Sequence, residues 1–269
     1  MSVVGSYAYG QLPDQDSELE RLRAQATVGS AIEEAIWRRS GLKPGMRVLD
    51  LACGPGFITA AMARFVGPTG SVVGVDISPT LLEHARTRRE HLAQPNLQFL
   101  QRDVYDLGDL GAPFDFVYAR FLFQHLERPV AAVEGLREVL RPGGVVCVLD
   151  VDDDWLMVHP EPEGFSQLVQ RAAEGQAARG GNRRVGRGLG DHLRAGGFEG
   201  VRTQISTVTS EQLGFENFIN ITTRFKIEQV PSVHRDEAIE QVERVRALRD
   251  VEGAWGAVGV FVATGRQPG

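Results

Sequence analysis

Cysteine is almost missing from this sequence: 269 residues hold two, Cys53 and Cys147. Both lie in apolar segments, so neither a disulfide framework nor a cysteine metal site is expected, and the cytoplasm is the natural compartment. No apolar run approaches about 18 residues, the length a membrane-spanning helix needs. The opening residues, MSVVGSYAYGQLPDQDSE, lack a basic segment followed by an apolar core and do not read as a signal peptide. A surplus of positive charge is also missing: the net charge is −6. Nucleic-acid enzymes usually carry a basic face or tail. A small molecule is therefore expected as partner, with no nucleic acid and no membrane.

What is present suits a folded chain, with 42% hydrophobic and 24% charged residues. The length allows one large α/β domain, or a core with an insertion. Leu19, Leu22, Ala26, Ile32, Ile36 and Trp37 fall at helical spacings. A break is expected near Gly29 and Ser30, and an end at Lys43-Pro44-Gly45. Beyond that, MRVLDLA, SVVGVDI, NLQFLQ, FDFVYA and VVCVLDV read as strands, with helices at FITAAMARFV, after Ser78 and Pro79, and over 129–140. This alternation predicts a parallel sheet covered by helices on both faces. After residue 151 the rhythm breaks into the acidic DVDDDW, a helix near 163–178 and the Gly/Arg-rich loop GGNRRVGRGLG. GFEGVRTQIST reads as a sixth strand, 211–250 as helical, and AVGVFVATG as a last strand.

The stretch VLDLACGPG (48–56) ends a strand in two glycines around Pro55 and opens a helix at Phe57. Glycines let backbone approach a ligand, and a helix start offers free N–H groups and a positive dipole end. A purely steric glycine turn explains the stretch equally well. The next strand ends in Asp76, 26 residues after Asp50, and a carboxylate at that tip can accept both hydroxyls of a ribose. A dinucleotide fingerprint would put a third glycine where Thr59 stands. Asp50 would repel a pyrophosphate but favour an ammonium or sulfonium. The ligand so indicated is a cationic amino-acid nucleoside.

VLDLACGPG, VVGVDIS, QRDVYDL, FDFVYARFLFQHL and LRPGG follow one another over residues 47–150, about two-fifths of the chain. In this order they resemble the class I S-adenosylmethionine-dependent methyltransferases, in particular the bacterial branch acting on ubiquinone/menaquinone-type and natural-product substrates. The resemblance implies an α/β, Rossmann-like, seven-stranded and mostly parallel sheet whose last strand is antiparallel. It implies a helical cap over residues 1–40 on a methyltransferase domain over 41–269, with lid insertions at about 152–190 and 208–250. The implied cofactor is S-adenosylmethionine.

On the same resemblance, Asp50 lies near the methionine ammonium, and Ala52, Gly54 and Gly56 lie in the turn against the methionyl and ribose parts. Asp76 holds the ribose, Ile77 lies along the adenine, and Asp103 with the Val104 N–H meets the adenine edge. Arg120 lines the methionyl end, while Tyr9 and Gln25 close over the cofactor. His125, on the segment that faces the methyl group, is the candidate general base; the alternative is a packing histidine. Tyr7, Phe121, Gln124, Trp155, Phe218 and Thr222 are candidate acceptor contacts.

The phenylalanine stripe of EQLGFENFINITTRFK could also pack internally or join two subunits, which leaves a homodimer open. No metal is expected. Catechol-type methyltransferases hold a metal with carboxylates near the positions of Asp150, Asp152, Asp153 and Asp154, but they also have an acid at the end of the fourth strand, where this chain has Ala119 and Arg120. Arg183, Arg184 and Arg187 read either as a clamp for an anionic substrate or as a solvated loop. The predicted activity is methyl transfer to a small aromatic or apolar metabolite of secondary or quinone-type metabolism. The rivals are the same fold acting on RNA or protein, a cofactor-binding relative catalysing a rearrangement, and a nicotinamide oxidoreductase.

Overall fold

Seven strands form one sheet in the order β3-β2-β1-β4-β5-β7-β6. They are β1 (Arg47–Leu51), β2 (Ser71–Asp76), β3 (Leu97–Gln101), β4 (Phe114–Arg120), β5 (Leu140–His159), β6 (Glu199–Thr209) and β7 (Trp255–Arg266). The first five run parallel, and β7 is antiparallel to both of its neighbours. The computed structural model describes Ser6 and residues 15–269, with only the backbone described at 15, 17 and 27–31.

Helices α1 (Gln15–Ser40), α2 (Phe57–Val66), α3 (Pro79–Leu92), α4 (Pro129–Val139), α5 (Phe165–Ala177) and α6 (Leu189–Ala195) pack around the sheet. Local chemistry sets their starts: Ser78 caps α3 by accepting the Leu81 N–H at 3.3 Å, with Pro79 in the first turn. Between β6 and β7 lies a run of short helices, α7 (Ser210–Leu213), α8 (Phe215–Ile219), a π-helical turn (Asn220–Arg224), α9 (Lys226–Gln229) and α10 (Arg235–Ala247).

Alternate residues of the strands feed the two faces of the sheet. On β4, Val117 and Ala119 join a cluster with Val133 and Leu136 of α4 and Leu193 of α6. Phe116 and Tyr118 join the opposite cluster, with Trp37 of α1, Met62 of α2 and Leu82 of α3. A third cluster sits under the helices that follow β6, built on Leu156, Phe165, Phe218 and Val242.

Two expectations are corrected. First, α1 continues through Gly29 and Ser30 instead of breaking there. Second, β5 does not stop before the aspartates but runs on to His159, with a register shift against β7 between Val151 and Leu156. The aspartates can sit in a strand because the Gly/Arg-rich loop supplies a partner for each. Arg183 meets Asp153, Arg184 meets Asp154, and Arg187 meets Asp152 and Asp154.

Candidate active site

β1 pairs with β2 on one side and β4 on the other, so the chains leaving the strand ends diverge there. Such a switch point opens a crevice at the carboxyl ends of a doubly wound sheet. A cavity of about 650 Å³ lies at this crevice, and α1 forms one of its walls.

The turn after β1 is latched to β2. Asp76 Oδ2 accepts the Gly54 N–H at 2.8 Å, and Oδ1 accepts the Ser78 N–H, also at 2.8 Å. Burial pushes the Asp76 carboxyl above its ordinary value, and the backbone amides work against that shift. Gly54 has φ +54°, and a Cβ built there would meet nothing within 4 Å, because it faces the cavity. Gly56, at φ +73°, is needed for packing instead: its Cβ would fall 2.7 Å from Phe99 Cζ. Ala52 and Phe121, on the cavity wall after β1 and β4, hold φ of 56° and 52°. Left-handed backbone costs a non-glycine residue roughly 1–2 kcal/mol, and such strain clusters at functional sites.

Beyond β3, Asp103 Oδ1 accepts the Tyr105 N–H at 3.0 Å in a tight turn. At the end of β4, Arg120 is ion-paired with the buried Glu33 of α1, and its Nη2 donates to the Gln25 carbonyl at 3.3 Å.

The cavity wall therefore brings together Gln25, Ala52, Gly54, Asp76, Ile77, Asp103, Val104 and Arg120 from the expected cofactor set. It also includes Phe121, Gln124 and Thr222 from the expected acceptor set, and His125. Asp50 and Gly56 stand behind the wall. Asp50 is buried, accepts a 2.6 Å hydrogen bond from Thr59 Oγ1, and is raised by burial to about 7. Two acceptor candidates fall elsewhere: Trp155 packs edge-on against Phe261, and Phe218 is fully buried over Gly256. Tyr7 and Tyr9 lie outside the described residues.

His125 differs from a ready base. Its Nδ1 lies 2.9 Å from Ser6 Oγ and 3.4 Å from Gln176 Nε2. Burial, and then the charges of Arg183, Arg21 and Arg179, lower its pKa to about 3. The ring is therefore a neutral hydrogen-bonding group at ordinary pH.

Sequence reasoning missed most of the α1 face. Glu18, Arg21, Leu22, Gln25 and Ala26 line the cavity, followed by Ile32 and Glu33. The three- and four-residue spacing of one helix face was the available signal.

The wall fits a nucleoside carrying an amino-acid tail. Open space beside Gly54 suits close backbone approach, Asp76 at the β2 tip suits a ribose, and Asp103 and Val104 suit a base edge. Among the described residues, no group of three or more His, Cys, Asp or Glu is arranged to hold a metal ion. Nor, among them, is any helix long and apolar enough to cross a membrane.

A model of the methyltransferase domain family matches residues 42–183. The ubiquinone/menaquinone biosynthesis C-methyltransferase of Ectopseudomonas mendocina is 37% identical over 121 residues, 43% of this chain and 47% of that protein. A demethylmenaquinone methyltransferase of Staphylococcus aureus is 30% identical over 131 residues, 47% of this chain and 54% of that protein. The chain spans about half the length of the curated relatives it matches. The structure of Haemonchus contortus phosphoethanolamine N-methyltransferase 2 in complex with S-adenosyl-L-methionine aligns with a TM-score of 0.62 at 18% identity, covering 100% of this chain and 61% of that one. That likeness shows a shared fold. The chain belongs to the methyltransferase domain family, on the Rossmann-like fold of the S-adenosylmethionine-dependent methyltransferases.

Proposed function

We propose that the chain transfers a methyl group from S-adenosylmethionine to a small aromatic or apolar acceptor. One observation supports this most. Asp76 and Gly54, joined by a 2.8 Å hydrogen bond, border a single cavity whose wall also includes Val151 and Leu156 of β5 and Val258 and Val260 of β7. A nucleoside site and an apolar site share one chamber. S-adenosylmethionine held there by Asp76, Gly54 and their neighbours would supply a methyl carbon on a sulfonium, open to displacement by an electron pair of the acceptor with S-adenosylhomocysteine as the leaving group.

The chain's own part is to bind, orient and exclude water. Asp76 accepts the ribose hydroxyls, Ile77 covers the adenine, and Asp103 and the Val104 N–H read its edge. Gln25, Ala52, Gly54 and Arg120 take the methionyl part. Asp50 and Gly56 act from behind, through Thr59 and Phe99. Phe121, Gln124 and Thr222 face the acceptor. In-line displacement gains most from fixed orientation, and a positioned pair can be worth roughly 7–11 kcal/mol of barrier. The relatives named for quinone methylation support an aromatic ring as acceptor. A net charge of −6 supports a metabolite over a nucleic acid. A cytoplasmic location, a cap over residues 1–40 and lids over about 152–190 and 208–250 complete the reading.

Calorimetric titration with S-adenosylhomocysteine and with NAD tests it. Tight binding of the first, lost in Asp76→Ala, is expected; binding of NAD alone would overturn the reading. Incubation with labelled S-adenosylmethionine and a panel of aromatic metabolites, followed by mass analysis, then identifies the acceptor.

A further inference from the structure

The acceptor end of the cavity carries a buried charge cluster that methyl transfer by itself does not require. Asp153 of β5, Arg183 of the Gly/Arg-rich loop and Lys226 of α9 meet there, at 3%, 5% and 0% exposure. Arg183 donates to Asp153 from Nε at 2.9 Å and from Nη2 at 2.6 Å, and from Nη1 to Gln124 Oε1. Lys226 Nζ donates to the same Asp153. The Arg183 guanidinium lies over the Phe225 ring, 4.8 Å from its centroid.

Two cations therefore share one carboxylate: burial lowers Lys226 to about 8, Asp153 holds it up against that, and the ammonium stays largely protonated at neutral pH. Burial would raise Asp153, but Lys226 and Arg183 outweigh it and hold the group below its ordinary value. Asp150, a further buried carboxylate near Arg183, is raised to about 7 by burial and accepts the Gln124 and Val151 amides. It does not carry a full compensating charge at neutral pH. Glu18 pairs with Arg21 at 2.7 Å, and Glu228, an exposed residue of the cavity lining, is pushed up by burial and then by Glu18.

A guanidinium has five N–H groups in a fixed fork. Arg183 commits three, which leaves one on each terminal nitrogen of a side chain that lines the cavity. Further N–H donors on an anchored cation are what an oxyanion needs. Building on the methyl-transfer reading, we infer that Arg183 receives an anionic oxygen of the acceptor, a carboxylate or a phenolate, on an otherwise apolar molecule. Such an oxygen balances the excess buried charge. A neutral acceptor leaves that charge desolvated and uncompensated, which is costly. Val151, Leu156, Val258 and Val260 take the apolar body. Asp153, Gln124 and Phe225 fix the guanidinium beforehand, so little ordering remains to be done on binding.

Fluorescence titration of the full chain, with and without saturating S-adenosylhomocysteine, tests this. The probes are 1-naphthoate against its methyl ester, and 4-nitro-1-naphtholate against its methyl ether. At least one anion is expected to bind roughly tenfold or more tightly than its neutral partner, the scale of a charge-assisted contact. The pair that shows the preference distinguishes carboxylate from phenolate. Arg183→Met should bring the preference within about twofold while S-adenosylhomocysteine affinity holds, and Arg183→Lys should retain part of it. Equal binding of both anions and their neutral partners by the unaltered chain overturns the inference, as does a preference that survives Arg183→Met. If the variant does not fold, the comparison on the unaltered chain still decides. Failure of S-adenosylhomocysteine to bind would instead sink the methyl-transfer reading, and the anion preference remains measurable without it.

Discussion

The hydroxyl of Tyr118, within β4, donates to Glu33 Oε2 of α1 across 3.1 Å. The same carboxylate is ion-paired with Arg120, two residues further along the strand. One buried acid thus latches the helix that walls the cavity to the strand that ends at it. Burial pushes the Glu33 carboxyl up, and Arg120, the next largest influence, pulls it back.

Glu33→Gln should leave a largely buried guanidinium without its counter-charge. Breaking such a pair costs about 3–5 kcal/mol, whereas Tyr118→Phe, which removes one hydrogen bond, should cost about 1 kcal/mol. Urea unfolding of both variants measures the difference. Equal midpoints for Glu33→Gln and the unaltered chain would show that the latch bears no weight.

The two glycines of the first turn should fail in different ways when changed to alanine. At Gly54 the methyl enters open space in the cavity. The chain should stay folded, at a strain cost of about 1–2 kcal/mol, and lose affinity for S-adenosylhomocysteine. At Gly56 the methyl meets Phe99 and Ala85 at 2.7 and 2.9 Å. Overpacking adds about 1–3 kcal/mol to the same strain, so the thermal midpoint should fall further. Calorimetry and melting together separate the two, and a Gly54 variant with full affinity would remove that residue from the binding wall.

Asp50 predicts a pH dependence. Its carboxyl is raised to about 7 in the folded chain, against about 3.9 when unfolded. The folded state therefore holds the proton more firmly, so this group's contribution to stability falls as pH rises from about 4 to about 7 and is level above that. Asp50→Asn, which can still accept from Thr59, should match the unaltered chain near pH 4 and exceed it at pH 8. The expected margin is on the order of 1–4 kcal/mol. A margin independent of pH would mean that Asp50 is ionised throughout.

His125 has the opposite sign. Its folded pKa of about 3 lies below the ordinary 6.5, so the folded state binds fewer protons and loses stability as pH falls from about 6.5 toward 3. His125→Gln should remove that loss. As a neutral wall group, it should cost less than about tenfold in turnover when replaced, with no step near pH 6.5 in the rate profile. General-base catalysis is worth about 10²–10⁴-fold, so a loss of that size, together with a step near pH 6.5 in the unaltered chain that His125→Gln abolishes, would restore the base.

The parallel half of the fold was legible because each strand is a short apolar run closed by a turn signal, from Arg47 to Arg120. Asp76 and Gly54 were legible because spacing along the chain maps directly onto the strand tips. The extension of β5 was not. Three consecutive aspartates read as a loop until Arg183, Arg184 and Arg187, some 30 residues later, are seen to neutralise them. Nothing local announces such pairing. The phenylalanine stripe was likewise ambiguous: Thr222 and Phe225 reach the cavity while Phe218 is fully buried against Gly256. A π-helical turn at Asn220–Arg224 shifts the helical phase within that run, so no fixed period sorts these residues. For Asp50, proximity in sequence to Gly54 suggested the wall, yet its strand position turns the carboxyl toward Thr59.

The shared grip of Arg183 and Lys226 on Asp153 also limits how this chain can be taken apart. A chimaera carrying residues 208–250 on another scaffold would bring Lys226 without its acid and bury an orphan ammonium. A scaffold that kept Asp153 but received a foreign segment in place of 208–250 would lose one of its two cations. Strand β5, the Gly/Arg-rich loop and the helical run between β6 and β7 therefore have to be re-engineered as one piece.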